Sequence, residues 1–326
     1  MKKSLPKKLK WGVAGCGRYA ENTFIPTMHM MRKSTVHSVF SGSNERAKAV
    51  AQKHAIPQYF SNYDDFLKSG IDAVYVSSAN AHHYKQVIEA ARAGKNILCE
   101  KPLALNPAEA EEMIRVCKEN NVMLSVNYVF HFHPLVRKAK EIIENEMIGK
   151  IISISTNFNI EIAPSSNFRH LKSGGGGALM DVGTHMIDLL RFFGGEVSSV
   201  CGVMDSIVYN SEVDDFASAI LKFENGGYGY FNVSFSSKRA FNRVEILGHK
   251  GAISIEKMIA NRHSPSKLTI LLDGEAKKSF RKRANKQLLL LKSLQRSFLR
   301  NEEPVVTGYD GLVNLKIMEE LRKQCL

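Results

Sequence analysis

The chain has 326 residues, 44% hydrophobic and 24% charged, and those proportions exclude collagen-like, coiled-coil and wholly disordered architectures. A chain of this length exceeds what one compact core usually holds, so two domains are expected. Forty-five Lys and Arg against 32 Asp and Glu leave a net charge of +13, while five cysteines without a CxxC pair argue against a disulfide framework and for a reducing, cytoplasmic home.

From Lys10 to about Tyr128, short apolar strands alternate with helices. Leu9–Ala14 reads as a strand and Tyr19–Met31 as a helix whose early turns are shaped by Pro26. Val36–Phe40 is the next strand and Glu45–His54 the next helix, followed by a buried strand at Ile71–Ser77. His83–Ala93 is a helix ended by Gly94, Asn96–Cys99 a strand, and Asn106–Asn120 a helix with an Asn cap and Pro107 in its first turn. Such alternation implies right-handed crossovers and a doubly wound parallel sheet, a Rossmann domain of α/β class over residues 1–128. After Gly149 the texture turns β-rich, with strands expected at Ile151–Ile160, Val197–Tyr209, Phe216–Phe223, Tyr228–Ser236, Arg243–Leu247 and Leu268–Leu272. One strong helix, about Ala178 to Phe193, follows the glycine run Gly174–Gly177. Residues 129–326 are therefore read as an α+β domain built on a large, mostly antiparallel sheet, with that helix at its edge. No apolar run approaches the roughly 20 residues of a membrane span, and the basic start Met1–Lys10 is not followed by the apolar core of a secretory signal.

Three motifs carry chemistry. The first strand runs into Gly15-Cys16-Gly17-Arg18-Tyr19-Ala20: the first glycine permits a tight turn, the second lets a pyrophosphate approach the backbone, and the small third residue lets helix meet sheet. The second strand ends in Ser41-Gly42-Ser43, acid-free where NAD sites usually place Asp or Glu, with Arg46 close by and Glu45 between. Hydroxyls and a cation suit a ribose 2′-phosphate, so NADP is favoured over NAD. The fourth strand ends in Cys99-Glu100-Lys101-Pro102, which puts Lys101 at the sheet edge where ligands gather. In the second half, Asp181 and His185 stand four apart on a helix, so a carboxylate can orient an imidazole for acid–base work. Against this stand a plain surface ion pair, or a metal site with His131, His133 or the His82-His83 pair. Without cysteine ligands or an HExxH pattern, no metal is expected.

Together these residues closely resemble the glucose–fructose oxidoreductase, inositol dehydrogenase and rhizopine catabolism (Gfo/Idh/MocA) family. The resemblance covers nearly the whole chain, taking in Asn80 and His83 after the third strand, Ile148-Gly149-Lys150 and Thr307–Leu312. It implies an NAD(P)-dependent oxidoreductase interconverting CH–OH and carbonyl on a sugar-like or cyclitol substrate. Lys101, Asp181 and His185 map onto the family's catalytic positions, with His185 favoured as the proton-transfer group and Lys101 its rival. Cofactor contacts are implied for Gly15, Gly17, Arg18, Tyr19, Ala20, Ser41, Gly42, Ser43 and Arg46, and for Ser78, Asn80, His83, Glu100 and Lys101. Substrate contacts are implied for Lys101, Tyr128, Arg169, Asp181 and His185. A last helix, about 308–323, is expected to pack back on the Rossmann domain, and the sheet to mediate a homodimer or homotetramer. Departures lie at Ala79, where many members have Pro, at His131, where many have Arg, and at Phe168-Arg169, where Trp-Arg is usual. The same scaffold also hosts NAD-dependent glycoside hydrolases and catalytically weak NAD(P)-binding regulators, and both readings stay open here.

The charge has two foci. Lys2, Lys3, Lys7, Lys8 and Lys10 crowd the start, and Lys277 to Arg300 is a basic block without an acid. The block either attracts nucleic-acid phosphates or is the solvated face of a helix whose other face carries Leu291, Leu294 and Phe298. Sparse aromatics and the lack of a DNA-binding motif favour the solvated face, so no nucleic-acid partner is expected.

Overall fold

The structure, a computed structural model, describes residues 8–164, 168–259 and 265–325; Lys2, Lys3 and Lys7 lie outside them. Two units divide the chain, Met1–Asn127 with Lys286–Val313, and Tyr128–Asn285 with Asn314–Leu326. The second crossing was not visible as a shift in composition, so Lys286–Val313 joins a unit that the linear division at residue 128 did not give it.

The first unit runs β1 (Leu9–Ala14), α1 (Ile25–Met28), β2 (Ser34–Phe40), α2 (Asn44–Lys53), β3 (Gln58–Phe60), α3 (Tyr63–Leu67), β4 (Ala73–Val76), α4 (His83–Arg92), β5 (Asn96–Cys99), α5 (Pro107–Glu119) and β6 (Leu124–Val126). Its six strands are all parallel, in the order β3-β2-β1-β4-β5-β6. The order reverses between β1 and β4, and such a switch point opens a crevice at the carboxyl ends of the strands. β4 is buried along its whole length, as a strand covered by helices on both faces must be. Trp11 of β1 lies edge-on to Phe24 at 5.9 Å and stacks on Phe298 at 5.7 Å, while Phe24 stacks on Tyr75 at 3.8 Å. Side-chain oxygens of Ser43, Asn62 and Asn106 accept backbone N–H groups at the starts of α2, α3 and α5. The helix expected over Tyr19–Met31 is shorter and opens as a π turn, Ala20–Phe24. β3 and β6, three residues each, were too short for periodicity to reveal.

The second unit contains α6 (Pro134–Glu144), β7 (Ile151–Asn159), α7 (Thr184–Gly194), β8 (Val197–Asp205), β9 (Phe216–Phe223), β10 (Tyr228–Ser234), β11 (Arg243–Gly248), β12 (Gly251–Glu256), β13 (Ser266–Leu272) and β14 (Lys278–Lys282). Its strands form one sheet in the order β14-β13-β12-β11-β7-β10-β9-β8. Only the β7–β10 pair is parallel; the others are antiparallel. α7 packs on β7 and β10 at the middle of the sheet, not at the edge expected from sequence. Its apolar residues Met186, Leu189, Leu190 and Phe193 are all buried, and a helix this apolar needs the sheet's centre to cover it. The opposite face leaves Ile220, Tyr228, Tyr230, Leu247 and Leu271 exposed.

α8 (Lys286–Arg300) belongs to the first unit, and α9 (Gly308–Gln324) divides at Val313. The first turn of α9 sits close on β6 and its surroundings: a Cβ added to Gly311 would meet Leu103 Cβ at 2.8 Å. Farther along, Arg191 of α7 donates to Asn314 Oδ1 at 3.0 Å and pairs with Glu196 at 2.7 Å. The basic block is therefore not one helix face. Lys278–Lys282 is a fully exposed edge strand, returned by the Asp273-Gly274 turn, and only Lys286–Arg300 is helical, burying Leu290, Leu291, Leu294 and Phe298.

Candidate active site

In the first unit the candidates collect at the carboxyl ends of β1, β2, β4 and β5. Gly15 has φ +106°, and a Cβ there would lie 2.5 Å from Ser78 N, so no side chain fits. A Cβ on Gly17 would meet nothing closer than Ser77 O at 3.8 Å. That surface stays open at backbone level, as the close approach of a dinucleotide pyrophosphate requires. Ala20 is buried against the sheet while Arg18 is exposed. The π turn that follows is a rare form that tends to mark functional sites.

At the β2 exit, Ser43 Oγ caps α2 and donates to Glu45 at 2.8 Å, and Ser43 N donates to Ser41 Oγ at 3.3 Å. Arg46 folds back over the glycine turn. Its Nε and Nη2 donate to Cys16 O at 3.1 and 3.0 Å, and Nη2 also pairs with Glu21. Glu21 holds Lys53 as well, at 2.6 Å, and that bond is the main reason its carboxyl titrates below the usual range. A cation thus stands over the phosphate turn, and the two serines lie just ahead of the helix that carries it. Next to it, a cleft of about 190 Å³ is lined by Phe40, Tyr63, His82, Lys85, Gln86 and Glu89, with Ser78 Oγ donating to Gln86 at 2.7 Å. These features fit an adenosine phosphate lying across the ends of β2 and β4.

Two expected cofactor contacts turn inward instead. His83 is fully buried, its Nδ1 2.9 Å from Pro102 O and its Nε2 3.2 Å from Ser78 O. Burial pushes its pKa down to about 4 against the pull of those carbonyls, so the ring is neutral, lies between the β4 and β5 exits and donates to one of the two carbonyls. The largely buried Glu100 accepts from Tyr75 OH, from Asn127 Nδ2 at 2.5 Å and from Lys101 N at 3.3 Å. Burial raises its pKa, with the Tyr75 bond the largest opposing effect. Both side chains serve the loop that presents Lys101. Asn80, also buried, opens a single 3₁₀ turn ahead of α4.

In the second unit, Gly177 (φ +108°) brings the chain so close to Asp214 that a Cβ would lie 2.2 Å from its Oδ1. Asp214 Oδ2 accepts Leu179 N–H at 2.7 Å and its carbonyl accepts Ala178 N–H at 2.9 Å. It thereby anchors a second π turn, Leu179–Gly183, which leads into α7. Burial lifts the Asp214 carboxyl to about 6, outweighing the Leu179 N–H and the nearby Arg322. Asp181 lies in the π turn and His185 in the first turn of α7. Arg169 Nε donates to Asp181 Oδ2 at 2.8 Å, so this carboxylate has a guanidinium partner that helical spacing alone did not show. The His185 ring, 9% exposed, is walled by Phe130 (5.1 Å), Tyr128 (5.9 Å) and Phe158 (6.2 Å). Tyr128 itself is fully buried, and its hydroxyl shares a 2.7 Å hydrogen bond with Thr184, so its phenol holds α7 rather than facing a substrate. His131 pairs with Asp188 at 2.8 Å, and His133 Nδ1 accepts Leu135 N–H at 3.2 Å. Among the described residues, no group of three or more His, Cys, Asp or Glu is placed to hold a metal ion.

Asn127, Asp214, Phe130 and Phe158 were missed from sequence. Asn127 follows a strand that was itself too short to see, and the other three matter through contacts distant along the chain.

A doubly wound sheet with this glycine turn at its switch point, in one chain with a sheet-backed helix carrying Asp181 and His185, defines a nicotinamide-dinucleotide oxidoreductase. Residues 9–128 match the Gfo/Idh/MocA oxidoreductase family with its NAD-binding Rossmann fold, and residues 136–254 match the family's C-terminal domain. The chain belongs to that family. It is 27% identical over 330 residues to trans-1,2-dihydrobenzene-1,2-diol dehydrogenase of Mus musculus, covering 97% of this chain and 96% of the relative. It is 26% identical to 1,5-anhydro-D-fructose reductase of Ensifer adhaerens, with 94% and 93% covered. The crystal structure of aldose-aldose oxidoreductase from Caulobacter crescentus, complexed with glycerol, superposes with a TM-score of 0.90 at 26% identity, covering 97% of each chain.

Proposed function

We propose that this oxidoreductase interconverts a secondary alcohol and a ketone, or a cyclic hemiacetal and a lactone, on a sugar-like or cyclitol substrate, with NADP(H) preferred. The observation that carries it is the start of α7, where Asp181 sits in a π turn anchored by Asp214 and paired with Arg169, and His185 follows in the first turn of the helix. Polar groups fixed this firmly in an aromatic surround suit proton transfer to or from a hydroxyl. The relatives' names, a dihydrodiol dehydrogenase and an anhydrofructose reductase, support a polyol or sugar substrate. Bound nicotinamide supplies or accepts the hydride. His185 moves the proton, Asp181 orients the site through Arg169 and its neighbours, and Lys101 polarises the reacting oxygen. Arg169, paired with Asp181, contacts the substrate beside it.

NADP preference is supported by Arg46, whose guanidinium lies over the glycine turn, and by a strand end, Ser41-Gly42-Ser43, without an acid of its own; Glu21 and Glu45 bond Arg46 and Ser43 from either side. Self-association through the exposed sheet face with Tyr228, Tyr230 and Leu247, and a cytoplasmic location suited to five free cysteines, complete the proposal. Among the described residues, no helix is long and apolar enough to cross a membrane. The test is a fluorescence titration with NADPH and NADH, then a sugar and polyol panel read at the nicotinamide absorbance. Binding of neither dinucleotide would overturn the proposal. Release of nitrophenol from a glycoside without net nicotinamide change would point to the hydrolase.

A further inference from the structure

We infer that Gln287, in the first turn of α8, is a positioning residue for Lys101, acting through a buried chain of hydrogen bonds that joins the phosphate turn to the β5 exit. The inference rests on the role proposed for Lys101 and extends it to a residue that no motif marks.

The chain can be followed bond by bond within the first unit. Tyr19 OH donates to Gln287 Oε1 at 2.8 Å. Gln287 and Asn127 form a reciprocal amide pair, Nε2 to Oδ1 and Nδ2 to Oε1, both at 3.2 Å. The second hydrogen of Asn127 Nδ2 goes to Glu100 Oε1 at 2.5 Å, where Tyr75 OH also donates. Glu100 Oε2 accepts the backbone N–H of Lys101 at 3.3 Å. Gln287 and Asn127 are only 3% and 2% exposed, so water does not replace these bonds.

The inventory fixes a direction. An amide offers two donors on nitrogen and two acceptor sites on oxygen. With the Tyr19 hydroxyl donating, Gln287 presents oxygen to Tyr19 and nitrogen to Asn127, which turns the Asn127 nitrogen toward Glu100. Both hydrogens of Asn127 and both acceptor sites of Gln287 Oε1 are then used. A buried network joined at each of these points specifies one geometry, and a half-satisfied one loses it. The orientation of Glu100, and with it the backbone of Lys101, is therefore set partly from α8.

Docking of α8 does not itself need Gln287. The helix is also anchored by Phe298 stacked on Trp11 and by Gln295 Oε1, which accepts Ser34 Oγ at 2.7 Å. Gln295 gives a matched control, a glutamine on the same helix that bonds the same sheet but lies outside the chain to Glu100.

The experiment uses the full-length protein and needs no substrate. NADPH affinity is measured by fluorescence titration, and Lys101 reactivity by its acetylation rate in peptide mass spectrometry. Gln287→Leu is expected to change both by about fivefold to tenfold, the scale of one or two hydrogen bonds, and Gln295→Leu to change neither. Gln287→Glu adds a readout that a packing role would not move. Protonated, its carboxyl restores the donor to Asn127; ionised, it sets a second negative charge near Glu100. NADPH affinity relative to wild type should therefore recover as pH is lowered from about 8 to about 5.5. If Gln287→Leu fails to fold, Tyr19→Phe breaks the same chain by removing one hydroxyl. Variants of Gln287 and Tyr19 that leave Lys101 acetylation and NADPH affinity within about twofold of wild type would overturn the inference alone. Full turnover by Lys101→Ala on a substrate from the panel would instead overturn the role proposed for Lys101.

Discussion

Asp214→Asn isolates the electrostatics of the anchor beneath α7. The substitution keeps an oxygen for Leu179 N–H and removes a buried charge. In the wild-type chain, folding lifts this carboxyl from 3.8 to about 6, so the folded state holds the proton more tightly than the unfolded state. The group's stabilising contribution is then fully present below about pH 3.8 and lost as pH rises through about 6. A shift of about two units is worth about 3 kcal/mol in all. About 2 kcal/mol of it falls between about pH 4.5 and about pH 7.5, because the unfolded carboxyl is already mostly ionised at the lower value. Urea unfolding of both proteins at those two pH values reads the double difference. The variant should gain about 2 kcal/mol on the wild type as pH rises. Parallel pH dependences would refute the raised carboxyl, and a relative gain by the wild type at the higher pH would show that the N–H groups and Arg322 outweigh burial.

Three further outcomes are expected. His185→Ala should cut the rate of hydride transfer by roughly 10² to 10⁴ with NADPH affinity held within about twofold, and near-native turnover would pass the proton-transfer role to Lys101. Arg46→Ala should weaken NADPH about tenfold and leave NADH unchanged, since contacts to a charged group are roughly twice as strong as neutral ones; equal losses for both dinucleotides in a titration would remove Arg46 from the 2′-phosphate. Lys278→Glu with Lys282→Glu, on the exposed edge strand β14, should leave turnover unchanged and stability within about 0.5 kcal/mol per site. Submicromolar, salt-sensitive binding to duplex DNA, lost in that double variant, would revive a nucleic-acid partner.

The Rossmann half was legible because its signals are local. Four apolar runs and four helices between Leu9 and Asn120 show themselves by periodicity, and the glycine turn needs only six adjacent residues. The antiparallel sheet was legible through alternation at Phe216–Phe223 and Tyr228–Ser236, whereas the basic composition of Lys278–Lys282 hid an edge strand. Both π turns were invisible, since nothing in Ala20–Phe24 or Leu179–Gly183 distinguishes them from ordinary helix. Asp181 and His185 could be chosen by residue type and spacing. Their supports could not: Asp214 lies 35 positions from the N–H it accepts, and pairings of that range carry no periodic signature. The inward turn of His83 and Glu100 was hidden for a related reason, because a motif gives position along a strand and not which way the side chain swings.

The completion of the first unit by Lys286–Val313 bears on how the chain emerges from the ribosome. Tyr19 and Gln287 are 268 positions apart, a stretch that takes roughly 13–50 s to synthesise at about 5–20 residues per second. Until α8 arrives, the Trp11 indole lacks the ring of Phe298, and Ser125 lacks the Val306 carbonyl to which its Oγ donates at 2.6 Å. The β1 and β6 segments therefore wait with apolar and polar groups uncovered while Tyr128–Asn285, the larger part of the second unit, is made. The nucleotide-binding unit, first to be translated, is among the last parts of the molecule to close.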